Sequence, residues 1–328
     1  MLLRAVYRAP RDCFVALLLA MTTVCTAAAQ AYPTKPVRIV VPSAPGGGTD
    51  LIARYLSQSV GDAWGQTVIT DNRSGGATTI GIGIVAKSPA DGYTLLLTTV
   101  NFAYLPAIHP KLTYDPVNDF VPVVRLATSD SVITVHPDVA ARSVSELVAL
   151  AKSRPGEIRY ASGGNGSVGH LTGELFQNRA KVTLLHVPYK GTGPGVAAVS
   201  SGEVHVLIAN IASLLPQIKA KRVRALAVTG ARRTRTLPDM PTAVEAGLPG
   251  YEYSGWYGLW APAKTPGAVV GRINADFNRA VKAPQFAERF QEAAIEPLGG
   301  TEKEFAAYLA AELKKWSTVA KEAGIRIE

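Results

Sequence analysis

Ser43-Ala44-Pro45-Gly46-Gly47-Gly48-Thr49-Asp50 and Ser162-Gly163-Gly164-Asn165-Gly166-Ser167 are the segments of this 328-residue chain best equipped to do chemistry. Each crowds backbone N–H groups together with no Cβ in the way and adds hydroxyl or amide side chains, which equips it to grip an anion. Neither segment contains Lys or Arg. An anion held there would be met by backbone dipoles and the positive end of a following helix. Pro45, Gly46, Gly47, Gly48 and Thr49 are therefore candidate ligand-binding residues in the first loop. Ser162, Gly163, Asn165, Gly166 and Ser167 are their counterparts in the second. Asp50 joins the set by position, but a carboxylate repels an anionic ligand and is expected to accept hydrogen bonds from its own helix N-terminus. His170 lies close enough to the second loop to face a ligand. Glu174, one turn further on, reads as its surface or supporting partner. Thr78, Thr79 and Asn101 follow later strand-like runs and could add donors, or serve ordinary turns. Tyr189, Trp256 and Tyr257 could stack on a ligand, or pack in the core.

Other chemistries are poorly supported. Gly164-x-Gly166-x-x-Gly169 has the form of a dinucleotide fingerprint, but the acidic residue needed about 20 positions on is missing around Tyr189-Lys190-Gly191. The first loop lacks the Lys-Ser/Thr that completes a phosphate-binding P-loop, and no Gly-x-Ser-x-Gly elbow occurs. His109, His136, His170, His186 and His205 show no metal-ligand spacing. Neither a metal nor a cofactor is expected, and no nucleophile, base and orienter form a complete catalytic set.

The elements that must position these loops alternate strand and helix, the pattern of an α/β protein with mainly parallel strands. Strands are expected at Val37–Val41, 67–70 and 93–99, with helices at 51–60 and 80–87 between them. A long β-rich passage covers 120–136. Ser143 and Glu146 form a capping box for a helix at 147–152, ended by Arg154-Pro155-Gly156. A second series gives strands at 158–161, 183–187, 204–209 and 224–228, with helices at 171–179 and 196–200. After a β-rich passage at 253–261 come helices at 271–282 and 285–294. The last helix opens at the box Thr301/Glu304 and closes near Gly324, with Phe305, Leu309, Leu313, Trp316 and Ala320 on one face. No low-complexity linker separates the halves, so ordered strands are expected to join them.

At the N-terminus, Arg4, Arg8 and Arg11 precede an apolar run at 14–24 and a small-residue stretch around Ala29-Gln30-Ala31, which reads as a secretory signal over residues 1–31. Cys13 and Cys25 both lie in that segment, so the mature chain has neither disulfide nor thiolate. The remaining 297 residues (328 less 31) suffice for about two domains. The signal carries a net +2, so the overall +9 leaves +7, a moderate excess that favours small anions; nucleic acid is not an expected partner. Arg222, Arg224, Arg232, Arg233 and Arg235 read as a solvated basic face.

Residues 32–50, from Tyr32-Pro33 through Pro45-Gly46-Gly47-Gly48-Thr49-Asp50, together with Asp91-Gly92-Tyr93-Thr94-Leu95 and Tyr114-Asp115-Pro116, carry a family likeness. His186-Val187-Pro188-Tyr189-Lys190-Gly191 and Leu237-Pro238-Asp239-x-Pro241-Thr242 extend it over essentially the whole mature chain. In these motifs the chain resembles the Bug-type substrate-binding proteins of tripartite tricarboxylate transporters. The resemblance implies a periplasmic, type II (Venus flytrap) binding protein with two α/β domains joined by hinge strands, and no enzyme. It implies domain 1 at 32–131 and 258–328, domain 2 at 132–257, and passages 124–136 and 253–261 crossing between them. It implies a small mono- or dicarboxylate gripped by residues 46–50 and 162–170. Delivery would be to the membrane permease subunits by a monomer. A ligand sensor acting on a periplasmic signalling domain is the alternative, and a dinucleotide-dependent enzyme is a weaker one. The chain departs from the family pattern at Asn72-Arg73-Ser74-Gly75 and at Ala209-Asn210. Asn210 remains a candidate ligand residue, while Ala209 removes a partner for a ligand cation and so disfavours amino acids.

Overall fold

The computed structural model describes residues 32–324 apart from Ala44, Pro110 and Glu292; the signal segment and both cysteines lie outside the described residues. In chain order the first elements are β1 (Val37–Val41), α1 (Gly48–Trp64), β2 (Val68–Asn72), α2 (Thr79–Ala86), β3 (Thr94–Thr99) and α3 (Asn101–Ile108). Then come β4 (Phe120–Val135), α4 (Val144–Ser153), β5 (Arg159–Ser162), α5 (Val168–Ala180), β6 (Leu185–Pro188) and α6 (Thr192–Ser201). β7 (Val206–Asn210), α7 (Ile211–Lys219), β8 (Arg224–Val228), β9 (Ser254–Pro262), α8 (Gly267–Lys282), α9 (Pro284–Phe290), β10 (Glu296–Pro297) and α10 (Glu302–Ala323) complete the series.

β1 is β-branched and almost wholly buried because it pairs in parallel with β2 on one side and β3 on the other, leaving both faces to be covered by helices. The strand order is β2-β1-β3-β9-β4-β7-β5-β6, with β8 and β10 also on β4. β4 is the continuous thread. Its Phe120–Asp130 part pairs antiparallel with β9, and Ser131 to Val135 pair instead with β7 and β8. Beyond this exchange β7, β5 and β6 run parallel to one another. The alternating α/β pattern read from the sequence is thus observed, but the strands are not mainly parallel: among the described residues four strand pairings are parallel and five antiparallel, because β4 and β9 run against their neighbours.

Two helices are additions to the expected set. α3 and α7 each carry an interior proline, Pro106 and Pro216, and stop within three residues of it. A proline deletes one i to i−4 bond and reads as a breaker, yet helices this short lose only that bond. The helices around the glycine loops also start earlier than expected: α1 begins at Gly48 and α5 at Val168, so each loop ends inside a first helical turn. At α4 the capping box is half formed. Ser143 Oγ accepts from Glu146 N–H, but the Glu146 carboxylate reaches Arg142 N–H. The Thr301/Glu304 box is complete.

One hydrophobic cluster runs through both halves of the strand order, joining Val40, Leu96 and Trp260 to Ile133, Tyr160 and Phe176. α10 lies against it with Phe305, Leu309, Trp316 and Ala320 buried, the face expected from their spacing. Trp316 meets Tyr104 and Tyr253 edge-on, and Glu322 accepts a hydrogen bond from Asn178 of α5.

Candidate functional site

The carboxyl ends of β3, β5 and β7 open onto one cavity of about 250 Å³. Open α/β sheets offer ligand sites at such strand ends, and this volume is below the usual drug-sized range. Thr99 and Val100 lead into α3, Val168 and Gly169 form the first turn of α5, Thr192 opens α6 and Asn210 caps α7. Four helix N-termini therefore face one space. Their leading N–H groups have no intrahelical partner and carry the positive end of each dipole, an arrangement that favours an anion. Ser129 and Ser131, alternate residues of β4, add hydroxyls at the point where that strand exchanges β9 for β7. Leu207, Ile208 and Trp256 supply apolar surface. None of the lining residues among the described residues is charged.

Trp256 is fixed from behind. Its indole N–H donates to Glu312 Oε2 at 3.2 Å, which also accepts from Trp316 Nε1 at 3.0 Å; Glu312 is 5% exposed. Tyr257 lines the cavity too, and burial, partly opposed by a hydrogen bond with Ser129, pushes its phenol up to about 12, so it is a neutral hydroxyl. A Cβ at Gly48 would stand 2.8 Å from Tyr257 Oη, so glycine there lets the first loop close onto this tyrosine. Behind the floor, Asp130 accepts from the Ser254 hydroxyl and its carboxyl packs against Gly230. Burial raises the Asp130 pKa to about 6.

In the first loop Gly46, at φ +87°, donates its N–H to Asp50 Oδ2 at 2.9 Å, and Arg54 Nε donates to the same oxygen at 3.0 Å. Burial works to raise the Asp50 carboxyl, but these bonds outweigh it and hold it below the usual range. Asp50 is a clamp on its own loop, as its position at a helix start implies. Thr79 donates to Gly76 O, and Asn101 Oδ1 accepts from Thr99. Thr78 sits at φ +84°, a costly conformation for a β-branched residue, with its Oγ1 buried and unpartnered.

In the second loop Ser162 is fully buried, its Oγ accepting from Gly164 N–H at 3.1 Å and lying 2.6 Å from His186 Nε2. Ser167 caps α5 by accepting from His170 N–H. Gly166 N–H donates to His170 Nδ1 at 3.1 Å, and the His170 and His186 rings stack 4.1 Å apart at 5°. Burial lowers the His170 pKa against the pull of Glu174, and burial together with His170 lowers that of His186 to about 4. Asn165 is exposed, and Tyr189 donates its hydroxyl to Glu203.

Of the residues proposed from the sequence, Gly163, Asn210, Trp256 and Tyr257 line the cavity, Gly48 reaches it through Tyr257, and Asn101 adjoins it. Pro45, Gly46, Gly47, Thr49, Asp50, Thr78 and Thr79 do not line it, nor do Ser162, Asn165, Gly166, Ser167, His170 and Tyr189. The amides of Gly46, Gly164 and Gly166 are committed to the chain's own side chains, so the loops are less open cradles than their composition implies. Sequence reasoning missed Thr99, Ser129, Ser131 and Thr192. The i, i+2 spacing of two serines within a buried β run was the available signal for one pair.

A mixed α/β sheet threaded by one long antiparallel pair, with an anion-favouring cavity at its strand ends, is the fold of the periplasmic binding proteins. Residues 52–325 match the model for the tripartite tricarboxylate transporter family receptor, TctC, and the chain belongs to that family. It is 40% identical over 93% of its length to a UPF0065 protein of the tcbD-tcbE intergenic region in Pseudomonas sp. strain P51, covering 92% of that protein. It is 34% identical to protein BugT of Bordetella pertussis, over 92% of this chain and 93% of that one. Among solved structures, R. palustris Rpa4515 with adipate superimposes with a TM-score of 0.77 at 36% identity, over 90% of this chain and 99% of that one. The family and these neighbours are solute-binding proteins.

Proposed function

We propose that this chain is an extracytoplasmic receptor that closes two lobes on a small carboxylate and delivers it to the membrane subunits of a tripartite tricarboxylate-type transporter. The observation that carries the reading is the uncharged cavity on which four helix N-termini converge. A carboxylate in such a space is held by oriented dipoles and hydroxyls, with no ion pair to break on release. Read from the sequence, the lobes are 32–131 with 258–328, and 132–257. The exchange of β4 partners between Asp130 and Ser131 supports the first boundary; β9 pairs with β4 from Ser254, which argues for a second boundary just before Ser254, with 254–257 joining the first lobe. The adipate seen in the R. palustris relative supports the ligand class. The N-terminal signal motif supports export, and among the described residues no helix is long and apolar enough to cross a membrane.

The test is a thermal-shift screen of protein stripped of ligand by unfolding and refolding, against mono- and dicarboxylates, amino acids and neutral sugars. A ligand at 100 times its Kd adds about 2.7 kcal/mol of stability. Small-angle scattering with the best binder should show a smaller radius of gyration. Stabilisation by sugars or amino acids and by none of the mono- or dicarboxylates overturns the ligand class, and unchanged dimensions with a tight binder overturn the closure.

A further inference from the structure

The second glycine loop lies over an unusual stack of rings. Tyr160 of β5 packs on one face of His186 of β6, with centroids 4.8 Å apart, and His170 of α5 covers the other face at 4.1 Å, nearly parallel. Both imidazoles are tied to the loop: His186 Nε2 through the Ser162 hydroxyl to Gly164 N–H, and His170 Nδ1 directly to Gly166 N–H. Gly164 and Gly166 both have positive φ, at 120° and 70°, so the loop holds a shape that these bonds must maintain. The chain immediately around it, Gly163, Val168 and Gly169, lines the cavity.

The bond from Gly166 fixes the chemistry of His170. An Nδ1 that accepts an N–H carries no proton, so the neutral ring keeps its hydrogen on Nε2, which faces Glu174 Oε1 at 3.9 Å. Protonation would place a second hydrogen between Nδ1 and Gly166 N–H and turn an acceptor into an opposed donor. It would also put a cation face-on against a second imidazole, which is half-buried and pairs with no carboxylate among the described residues. The ionisable groups facing the pair from the packed elements are few. α5 contributes Glu174, whose Oε1 already accepts from Tyr160 Oη and Gln177 Nε2, both at 2.7 Å. β5 contributes Tyr160. α10 brings Glu322 against Asn178, two turns further along α5.

We propose that His170 and His186 are positioning residues that, as neutral stacked rings, hold the second glycine loop in the form that lines the cavity, and that protonation releases it. The effect on capture rests on the reading of that cavity as the carboxylate site; the effect on the loop does not. The direction follows from the lowered pKa values: the neutral pair's contribution is complete above the unfolded value near 6.5 and is lost as pH falls toward the folded one.

The experiment uses amide and histidine-ring NMR of the ligand-free protein from pH 8 to pH 3.5, so that the range passes through the His186 value near 4, with a parallel titration of adipate by calorimetry. The Gly166 and Gly164 amide shifts should follow the titration of the His170 ring, with smaller protection factors, after correction for the pH dependence of intrinsic exchange, at low pH. Adipate affinity should fall roughly threefold or more from pH 7.5 to 5. His170→Asn, which retains an acceptor but loses the stacked ring and cannot titrate, should flatten the pH profile whatever its affinity at pH 7.5; the ligand's own protonation affects both proteins alike. His170→Ala should disorder the loop at every pH. Amides that ignore the ring titration, or a His170→Asn profile as steep as the original, overturn the proposal. If adipate fails to bind while the amides still follow the ring, the loop latch stands and the ligand assignment falls.

Discussion

Glu312→Leu tests how the cavity's aromatic wall is held. One carboxylate oxygen takes two indole donors, from Trp256 and Trp316, and both rings are about 1% exposed, so water cannot replace it. A buried donor left without a partner costs about 1–3 kcal/mol, so the two together cost about 2–6 kcal/mol. The additional apolar contact of leucine offsets on the order of 0.8 kcal/mol. Lys315, which donates to the other oxygen from a partly exposed position, contributes little. The expected net loss is about 1–5 kcal/mol, read from urea unfolding at pH 7.5 by tryptophan emission and by far-ultraviolet circular dichroism. Glu312→Gln keeps an acceptor and should lose less. Trp316→Phe removes one of the stranded donors, so adding it to Glu312→Leu should cost less than adding it to the parent. A Glu312→Leu protein within about 0.5 kcal/mol of the parent, or strict additivity in that cycle, would refute the reasoning.

Gly48→Ala brings a methyl to within 2.8 Å of the Tyr257 hydroxyl, so the tyrosine must turn. Carboxylate affinity measured by calorimetry should fall roughly tenfold, with a stability loss of about 1–3 kcal/mol; unchanged affinity would show that the loop and Tyr257 are independent of the ligand. Asp130 gives a pH dependence of opposite sense to the histidines. Its folded pKa, about 6, lies above the unfolded value, so the native state holds the extra proton. That contribution is complete below about pH 3.9 and is lost as pH rises through 6. Asp130→Asn should therefore melt higher than the parent at pH 7.5 and much the same near pH 4, and an equal shift at both would remove the assignment.

The strands were legible because runs such as Val37–Val41 are β-branched at every position but Arg38, which few other structures favour. α3 and α7 were not, since Pro106 and Pro216 announce a break that helices of eight and nine residues can absorb. At the site, glycine identified the loops but could not reveal which amides were already spoken for. That depends on side chains four residues along, His170 to Gly166 and Asp50 to Gly46, finding the loop from the first helical turn. Ser129 and Ser131 were hidden for a different reason. Their role arises where β4 changes partners, and the partners β7 and β9 lie far along the chain.

The threading of β4 and β9 also decides in what order the molecule can be completed as it emerges N-terminus first. β4 residues 131–135, β5, β6, β7 and β8 form an uninterrupted stretch whose pairings need nothing synthesised later. β1, β2 and β3 come first, yet β3 lacks its antiparallel neighbour until Leu96 meets Trp260, about half the chain away. The cluster beneath them also waits for Phe305 and Trp316. Such distant closure is slow and leaves apolar surface uncovered in the interval. The earliest strands are thus among the last to be sealed, and a nascent chain remains pliable until its C-terminal helix has arrived.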